Sequence, residues 1–211
     1  MWIQRLVSAL ALSSAFLAAG AVQAQTAPDA LVKQVSNEVV DAVKADKAIQ
    51  AGDVQRINAL VDSKVMPHVN FQRMTSMSVG RYWRTATPEQ QKRLQEEFKT
   101  LLVRTYAGAL TQVKDQTTVV LKPMRSQPAD TEVVVRTEVR NSGSEPIQLD
   151  YRLEKAGDTW RVYDINVGGI WLVEQYRNSF AQEIGANGVE GLIAKLAEKN
   201  KSAGGAKQAK S

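Results

Sequence analysis

Hydrophobic positions from Pro28 to Leu110 recur every three or four residues, which is the spacing of amphipathic helices. The first segment carries one apolar stripe between Leu31 and Val43. A second short helix is predicted to begin at Asp53, whose carboxylate can cap the N-terminus, and to end at Pro67. The N-terminal half of the chain is therefore predicted to be helical.

The clearest helix start lies at Thr87-Pro88-Glu89-Gln90. A threonine can cap the helix, a proline suits the first helical position, and a glutamine three residues after the threonine can complete a capping box. The pattern predicts a long helix with apolar residues from Leu94 to Leu110, which frays near Val113.

From Thr117 the hydrophobic period changes from 3.6 to 2, which indicates half-buried strands. Mainly apolar residues alternate with polar or charged ones over residues 131–140, with Val134 as the exception, and over residues 147–154 without exception. Turn-forming residues lie at 141–144 and 156–158, and a fourth strand is predicted from Trp160 to Ile165. The sequence therefore predicts a four-stranded antiparallel meander.

Helical spacing returns after Gly168-Gly169, with Ile170 as the first inward residue and an end at Gly185. Another short helix is expected after Asn187, and the polar tail 200–211 is expected to be disordered. The predicted fold class is α+β. N-terminal helices precede the meander, C-terminal helices follow it, and helices pack on one face of the sheet.

The first 24 residues have the features of a secretory signal peptide: Arg5, then an apolar run, then the small-residue site Val22-Gln23-Ala24. Residues 25–199 are predicted to form a single exported domain. The chain has no cysteine, which excludes disulfides, thiolate nucleophiles, zinc–thiolate and iron–sulfur sites, and a lipidated cysteine. The net charge of +5 on 211 residues gives no indication of a nucleic-acid partner.

Few residues suggest catalysis. His68 is the only histidine and lies beside a proline with no nucleophile motif nearby, so neither a catalytic triad nor a metal site is expected. Gly168-Gly169 lacks the lysine and the wider spacing of a phosphate loop, which favours a strand-to-helix turn. Tyr163-Asp164 could serve a pocket enzyme, but adjacent strand residues point to opposite faces unless a bulge intervenes.

Three strings carry a family resemblance: GRYWRTATPEQQ at 80–91, FKTLLVRTYAGAL at 98–110 and WRVYDINVGGI at 160–170. With their spacing, they resemble the MlaC family, also described as the toluene-tolerance or ABC-transporter auxiliary component family. The likeness extends over about residues 28–199.

The resemblance implies a periplasmic phospholipid carrier that is not an enzyme and needs no cofactor or metal. Its implied partners are phospholipid, the lipid-binding ring of an inner-membrane ABC transporter and an outer-membrane lipoprotein complex. It would act as a monomer and maintain the lipid asymmetry of the outer membrane. The implied fold has a curved sheet with an apolar cavity beneath its helices, in which acyl chains insert while the headgroup stays at the mouth.

A carrier of this kind needs an apolar pocket, and inward strand and helix positions are the candidates for its wall. These residues are Phe98, Leu101, Leu102, Tyr106, Val133, Val135, Val139, Leu149, Tyr151, Leu153, Trp160 and Val162. Candidate headgroup or partner contacts are Arg81, Arg84 and Arg104.

Two other functions remain open from the residues alone. The first is a small cone-shaped α+β pocket enzyme with Tyr163 and Asp164 in its site. The second is a protein-only periplasmic adaptor in which the same apolar residues form a filled core, since periodicity does not separate a core from a cavity wall.

Overall fold

The computed structural model describes residues 26–127 and 129–208, with side chains described as far as Ser202. The predicted signal peptide, residues 1–24, lies outside the described residues. Among the helices in the described part of the chain, none is long and apolar enough to cross a membrane.

The described chain contains six α-helices and three tighter or wider helical turns. The helices are α1 Pro28–Ala45, α2 Lys47–Gln50, α3 Val54–Leu60, α4 Phe71–Val79, α5 Pro88–Leu110 and α6 Leu172–Gln208. A π-helical turn at Val61–Val65 and a 3-10 turn at Met66–His68 follow α3, and a 3-10 turn at Gly80–Arg84 follows α4. The regular helix ends ahead of Pro67, which cannot supply a helical N–H.

Both predicted helix starts are confirmed. The Asp53 carboxylate accepts hydrogen bonds from the backbone N–H groups of Gln55 and Arg56, at 2.9 and 3.1 Å. Gln90 N–H donates to Thr87 Oγ1 at 3.2 Å and Thr87 N–H donates to Gln90 Oε1 at 2.9 Å, which completes the capping box. Such caps satisfy donors that have no partner within the helix and stabilise it by about 1 kcal/mol each.

The strands form one antiparallel meander in the order β1-β2-β3-β4-β5. Their bounds are β1 Thr118–Leu121, β2 Glu132–Arg140, β3 Ile147–Ala156, β4 Thr159–Val167 and β5 Ile170–Trp171. The predicted α+β class is thereby confirmed.

The sheet has five strands where four were predicted. Gly168 and Gly169, with φ of 59° and 93°, turn the chain back so that Ile170 pairs with Val167. The assignment of Ile170 to the inward side of a helix is therefore wrong, because this residue lies in β5 and is 55% exposed. Helix α6 begins two residues later, at Leu172.

Helix α6 is interrupted at Gly188 rather than ending at Gly185. Gly188 has φ 71° and ψ 179°, a conformation that costs a glycine little and other residues more. The helix also continues through Asn200, where disorder was expected to begin. Asn200 is buried, and its side-chain amide donates to the backbone carbonyl of Glu97 at 3.0 Å, which holds this end of α6 against α5.

Two clusters of buried apolar residues hold the fold together. One lies between the sheet and helices α1, α4, α5 and α6, and the other joins α1, α2, α3 and α5 away from the sheet. The first cluster contains six of the twelve positions that the sequence assigned to a pocket wall, and three more pack against it. It is therefore the starting point for the functional site.

Candidate functional site

We call the buried cluster beneath the sheet the apolar layer. Its members are Leu31, Val32, Val69, Met74, Val79, Leu94, Phe98, Val133, Val135, Leu153, Trp160, Val162, Val173, Phe180, Ile184, Leu192, Ile193 and Leu196. All are apolar. One side of the layer is the sheet, and the other is a set of helices.

Strand register fixes the sheet side of the layer. Val133, Leu153 and Val162 are cross-strand partners and form one row across β2, β3 and β4. The next row contains the buried Val135 with the half-buried Tyr151 and Ile165. Because residues opposite one another in a sheet lie on the same face, the two rows make a continuous apolar surface.

An aromatic cluster centred on Phe98 joins the helices on the other side. The Phe98 ring meets Tyr176 edge-to-face at 4.9 Å between centroids and Phe180 at 5.2 Å. Phe71 lies 5.8 Å from it in a tilted arrangement. One ring from α5 thus contacts rings from α4 and α6. The helical spacing after Gly169 puts Tyr176 and Phe180 on one stripe of α6, but only the tertiary fold brings them to Phe98.

The inner face of the sheet becomes exposed toward one end. The row beyond Tyr151 contains the buried Thr137, the half-buried Leu149 and Val167, and the exposed Ile170. In the last row, the half-buried Val139 pairs with Ile147, which is 44% exposed. This apolar surface, which we call the open end, continues the apolar layer to the surface of the protein.

The predicted wall residues fall into three groups by burial. Buried in the apolar layer are Phe98, Val133, Val135, Leu153, Trp160 and Val162; half-buried against it are Leu101, Leu102 and Tyr151; half-buried outside both buried clusters are Tyr106, Val139 and Leu149. Val139 and Leu149 lie at the open end. The fold therefore brings nine of the twelve into the layer or against it, and two of the others onto its continuation.

The tyrosines at this site are uncharged at neutral pH. Burial raises the pKa of the Tyr151, Tyr176 and Tyr106 hydroxyls above the ordinary value of 10.0. These side chains therefore add hydrogen-bonding capacity to a hydrophobic site without adding charge.

The three predicted arginines are not brought together. Arg81 and Arg84 are exposed in the 3-10 turn before α5, and Arg81 donates to the hydroxyl of its neighbour Tyr82 at 2.9 Å. Arg104 lies sixteen residues into α5, which is about 24 Å from the helix start. It is half-buried, and within the described residues its Nε has no hydrogen-bond partner.

A β-bulge lies at Tyr163, between the pairs Arg152–Asp164 and Leu153–Val162. The Asp164 carboxylate is fully buried and accepts from Arg152 Nη1 at 3.0 Å and from the backbone N–H groups of Ile165 and Val173. Burial raises the pKa of this carboxyl above 3.8, although these donors oppose the shift.

The other residues considered for catalysis are Tyr163 and His68, and Tyr163 makes structural contacts. The Tyr163 hydroxyl donates to Glu132 at 3.1 Å, and the Arg73 guanidinium lies 3.7 Å from the centre of its ring. His68 is half-buried at the end of a 3-10 turn. Over the described residues no three histidine, aspartate or glutamate side chains are grouped as metal ligands.

Comparison with known proteins agrees with this arrangement. The model of the family described as "MlaC protein" matches residues 33–198. The chain is 23% identical over 186 residues to the intermembrane phospholipid transport system binding protein MlaC of Haemophilus influenzae, covering 87% of this chain and 86% of that protein. It is 29% identical over 168 residues to toluene tolerance protein ttg2D of Pseudomonas putida, covering 79% and 77%.

A solved structure is similar over nearly its whole length. It is the phospholipid-binding protein from Ralstonia solanacearum in complex with a phospholipid, with a TM-score of 0.80 and 46% identity. The match covers 83% of this chain and 98% of that one. By sequence and by fold, the chain belongs to the MlaC family.

Proposed function

We propose that this protein binds phospholipid and carries it through the periplasm between an inner-membrane ABC transporter and an outer-membrane lipoprotein complex. The observation that carries the proposal is the apolar layer, which extends from the buried rows at Val135 and Leu153 to the exposed Ile147 and Ile170. The phospholipid in the Ralstonia solanacearum relative and the name of the Haemophilus influenzae relative support it.

The energetics of acyl chains explain why such a layer is needed. Each methylene removed from water contributes about 0.8 kcal/mol, so a chain of about sixteen carbons favours an apolar site by roughly 12 kcal/mol. A carrier must offer a comparable environment for each chain. It must also release the lipid, which favours smooth apolar contacts over a specific polar lock.

Acyl chains can enter this layer only if the helices separate from the sheet. Phe98, Val135 and Leu153 are each 0% exposed, so side chains occupy the space that lipid would need. Because Phe98 contacts rings from both α4 and α6, we expect these helices and α5 to move away from the sheet together.

We place the mouth for the lipid at the open end. Helix α5 approaches this end, because Lys114 N–H donates to Thr117 Oγ1 at 2.7 Å and Thr117 Oγ1 donates to the Asn141 side chain after β2. Among the three candidate headgroup arginines, Arg104 is therefore the nearest along the chain to the mouth. Its unpartnered Nε could donate to a phosphate oxygen.

We further propose that residues 1–24 direct export and that the protein acts without catalysis or a cofactor. The contacts of Asp164 and Tyr163 support this, since both side chains are engaged in holding the sheet and α6. Maintenance of outer-membrane lipid asymmetry is the cellular role that follows from carriage between the two membranes.

Lipid extraction and mass spectrometry test the proposal. Residues 25–211 are purified from their own periplasm without detergent, beside an unrelated periplasmic protein of similar size as a control for adventitious lipid. We expect near-stoichiometric phospholipid with mixed headgroups in this protein and only traces in the control. Repeated absence of lipid would favour the protein-only adaptor, which the close packing of Phe98, Val135 and Leu153 also fits.

A further inference from the structure

Strand β1 covers only half of the outer edge of β2. Its four residues pair with Thr137–Arg140, and the last backbone contact is Lys122 N–H to the Arg136 carbonyl at 2.9 Å. Pro123 follows, and it has no N–H with which to continue the ladder. Between Glu132 and Arg136, β2 therefore has β3 on one side and no strand on the other.

The free backbone groups on this edge include those of Val134. The Thr131 carbonyl accepts from Lys155 N–H at 2.8 Å on the β3 side, whereas the Arg136 carbonyl faces the β1 side. Successive residues of a strand direct their N–H and C=O groups to alternate sides, so those of Val134 point the same way as Arg136. Within the described residues, neither group of Val134 has a hydrogen-bond partner on that side.

A groove lies directly against this edge. It is an open cavity of about 420 Å³, and its lining includes Pro123, Met124, Val134 and Arg136. Val134 is the apolar exception in the otherwise charged outward positions of β2, and it is half-buried where it lines the groove. The groove therefore offers an apolar side chain next to unpaired backbone.

The charge around the groove that no ion pair offsets is positive on balance. Glu132 is paired with Arg73 at 2.6 Å, whereas Asp130 accepts a hydrogen bond from the Gln127 N–H at 2.7 Å and keeps its negative charge. Arg125 and Arg136 also line the groove and are exposed, and neither forms an ion pair within the described chain. An occupant with acidic side chains would complement them.

We propose that the edge of β2 at Val134 is a docking site for an acidic, extended segment of a partner protein, which joins the sheet as an additional strand. Backbone hydrogen bonds to Val134 would supply affinity, and an apolar side chain packed against Val134 would set the register. The chain's own C-terminal tail has the wrong charge, because residues 199–211 contain four lysines and no acidic residue. The site is on the edge of the sheet and meets the apolar layer at Val133, which lines the groove, and at Met124, which packs against the layer.

The test uses a fluorescein-labelled peptide of about eight residues in which valine and glutamate alternate, a length typical of a strand. Its binding to full-length mature protein is measured by fluorescence anisotropy, and its site by amide hydrogen exchange. We expect saturable binding that slows exchange of the Val134 N–H. The same peptide with lysine in place of glutamate should bind at least about tenfold more weakly.

Two kinds of variant locate the site. Val134→Pro should weaken binding at least about tenfold while the protein still folds, since the lost N–H faces the open edge, where proline is tolerated. Val134→Ile is the matched control and should bind like the wild type. Arg125→Glu with Arg136→Glu should reverse the preference between the two peptides without touching the backbone edge.

Three outcomes would overturn the proposal. The first is that the peptide shows no saturable binding up to about 1 mM. The second is that Val134→Pro leaves peptide binding unchanged. The third is that the protein self-associates and Val134→Pro converts it to a monomer, in which case a second copy of the chain occupies the edge. Lipid content is measured on the same samples. Because peptide binding and lipid content are separate quantities, failure of one proposal does not affect the other.

Discussion

The carboxylate of Asp164 in β4 accepts a hydrogen bond at 3.1 Å from the backbone N–H of Val173, in the first turn of α6. The first N–H groups of a helix have no partner within the helix, so Asp164 acts as a cap supplied by another element. The Arg152 guanidinium binds the same carboxylate, lies 3.9 Å from the centre of the Trp171 ring and reaches Glu174. This cluster ties the start of α6 to the sheet.

Asp164→Ala removes the cap and leaves Arg152 without its buried partner. We expect a loss of about 2–4 kcal/mol in the free energy of unfolding, measured by urea denaturation. Asp164→Asn is the matched control, because its amide oxygen can still accept from Val173. It should cost about half as much. A value for Asp164→Ala within about 0.5 kcal/mol of the wild type would contradict a capping role.

The Asp164 carboxyl also gives a pH dependence with a defined sign. Burial raises its pKa above the ordinary 3.8, so the native state binds this proton more tightly than the unfolded chain does. The contribution of this carboxyl to the free energy of unfolding therefore rises as the pH falls through the raised pKa toward 3.8. The Asp164→Asn variant has no carboxyl at this position and lacks that pH-dependent contribution.

We expect the unfolding free energy of the wild type minus that of Asp164→Asn to increase from about pH 7 to about pH 4. Ion pairs lower the pKa of Glu132 and Glu138, so protonation of these side chains destabilises the protein at low pH. The effect is the same in the wild type and in Asp164→Asn, so it cancels in the difference between their unfolding free energies. Urea titrations at several pH values provide the measurement. A difference that stays constant or shrinks on acidification would be the opposite result.

Leu149→Trp tests the mouth of the proposed lipid site. Leu149 is half-buried at the open end, so a larger side chain can be accommodated there while obstructing entry of lipid. We expect lipid per protein to fall by at least about half, with a circular dichroism spectrum like that of the wild type. At the fully buried Val135, the same change would overpack the core at a cost of about 1–3 kcal/mol.

Arg161→Trp is the control for that substitution. Arg161 is exposed and pairs with Glu154, on the opposite face of the sheet from Leu153. The variant should retain the lipid content of the wild type. Equal lipid loss in both variants would indicate a general effect of tryptophan and would remove the support for a mouth at Leu149.

Gly188→Ala tests the interruption in α6. A residue with a Cβ at φ 71° and ψ 179° is strained by about 1–3 kcal/mol, so we expect that loss of stability in thermal or urea unfolding. Gly185→Ala is the control, because Gly185 is helical and a Cβ there meets only the Tyr82 hydroxyl at 4.0 Å. That variant should match or exceed the wild type by up to about 1 kcal/mol. Equal changes in stability for Gly188→Ala and Gly185→Ala would contradict the interruption of α6 at Gly188.

Local signals in the sequence were sufficient to predict the main elements. The capping box at Thr87 and Gln90 and the cap at Asp53 act within one turn of chain, so residue types at short spacing identify them. The period of two in β2 and β3 likewise reports which residues of a strand share a face. The order of helices, sheet and helices followed from these patterns.

Other features depend on contacts between distant residues, which no local pattern encodes. The bulge at Tyr163 is defined by pairing with β3, and Asn200 stays helical because it bonds Glu97, more than 100 residues earlier. Strand β5 is only two residues long and carries no periodicity of its own.

The sequence by itself determined the composition of the apolar layer, because residue type and period fix which side chains avoid water. The tertiary structure decided where that layer opens and which groups remain unpaired. Leu149 and Leu153 are both inward by sequence, but only strand register and helix placement leave one at the open end and bury the other. In the sequence, Val134 was only an exception to the alternation along β2. In the structure, β1 is too short to reach it, which leaves the edge of β2 open at this residue.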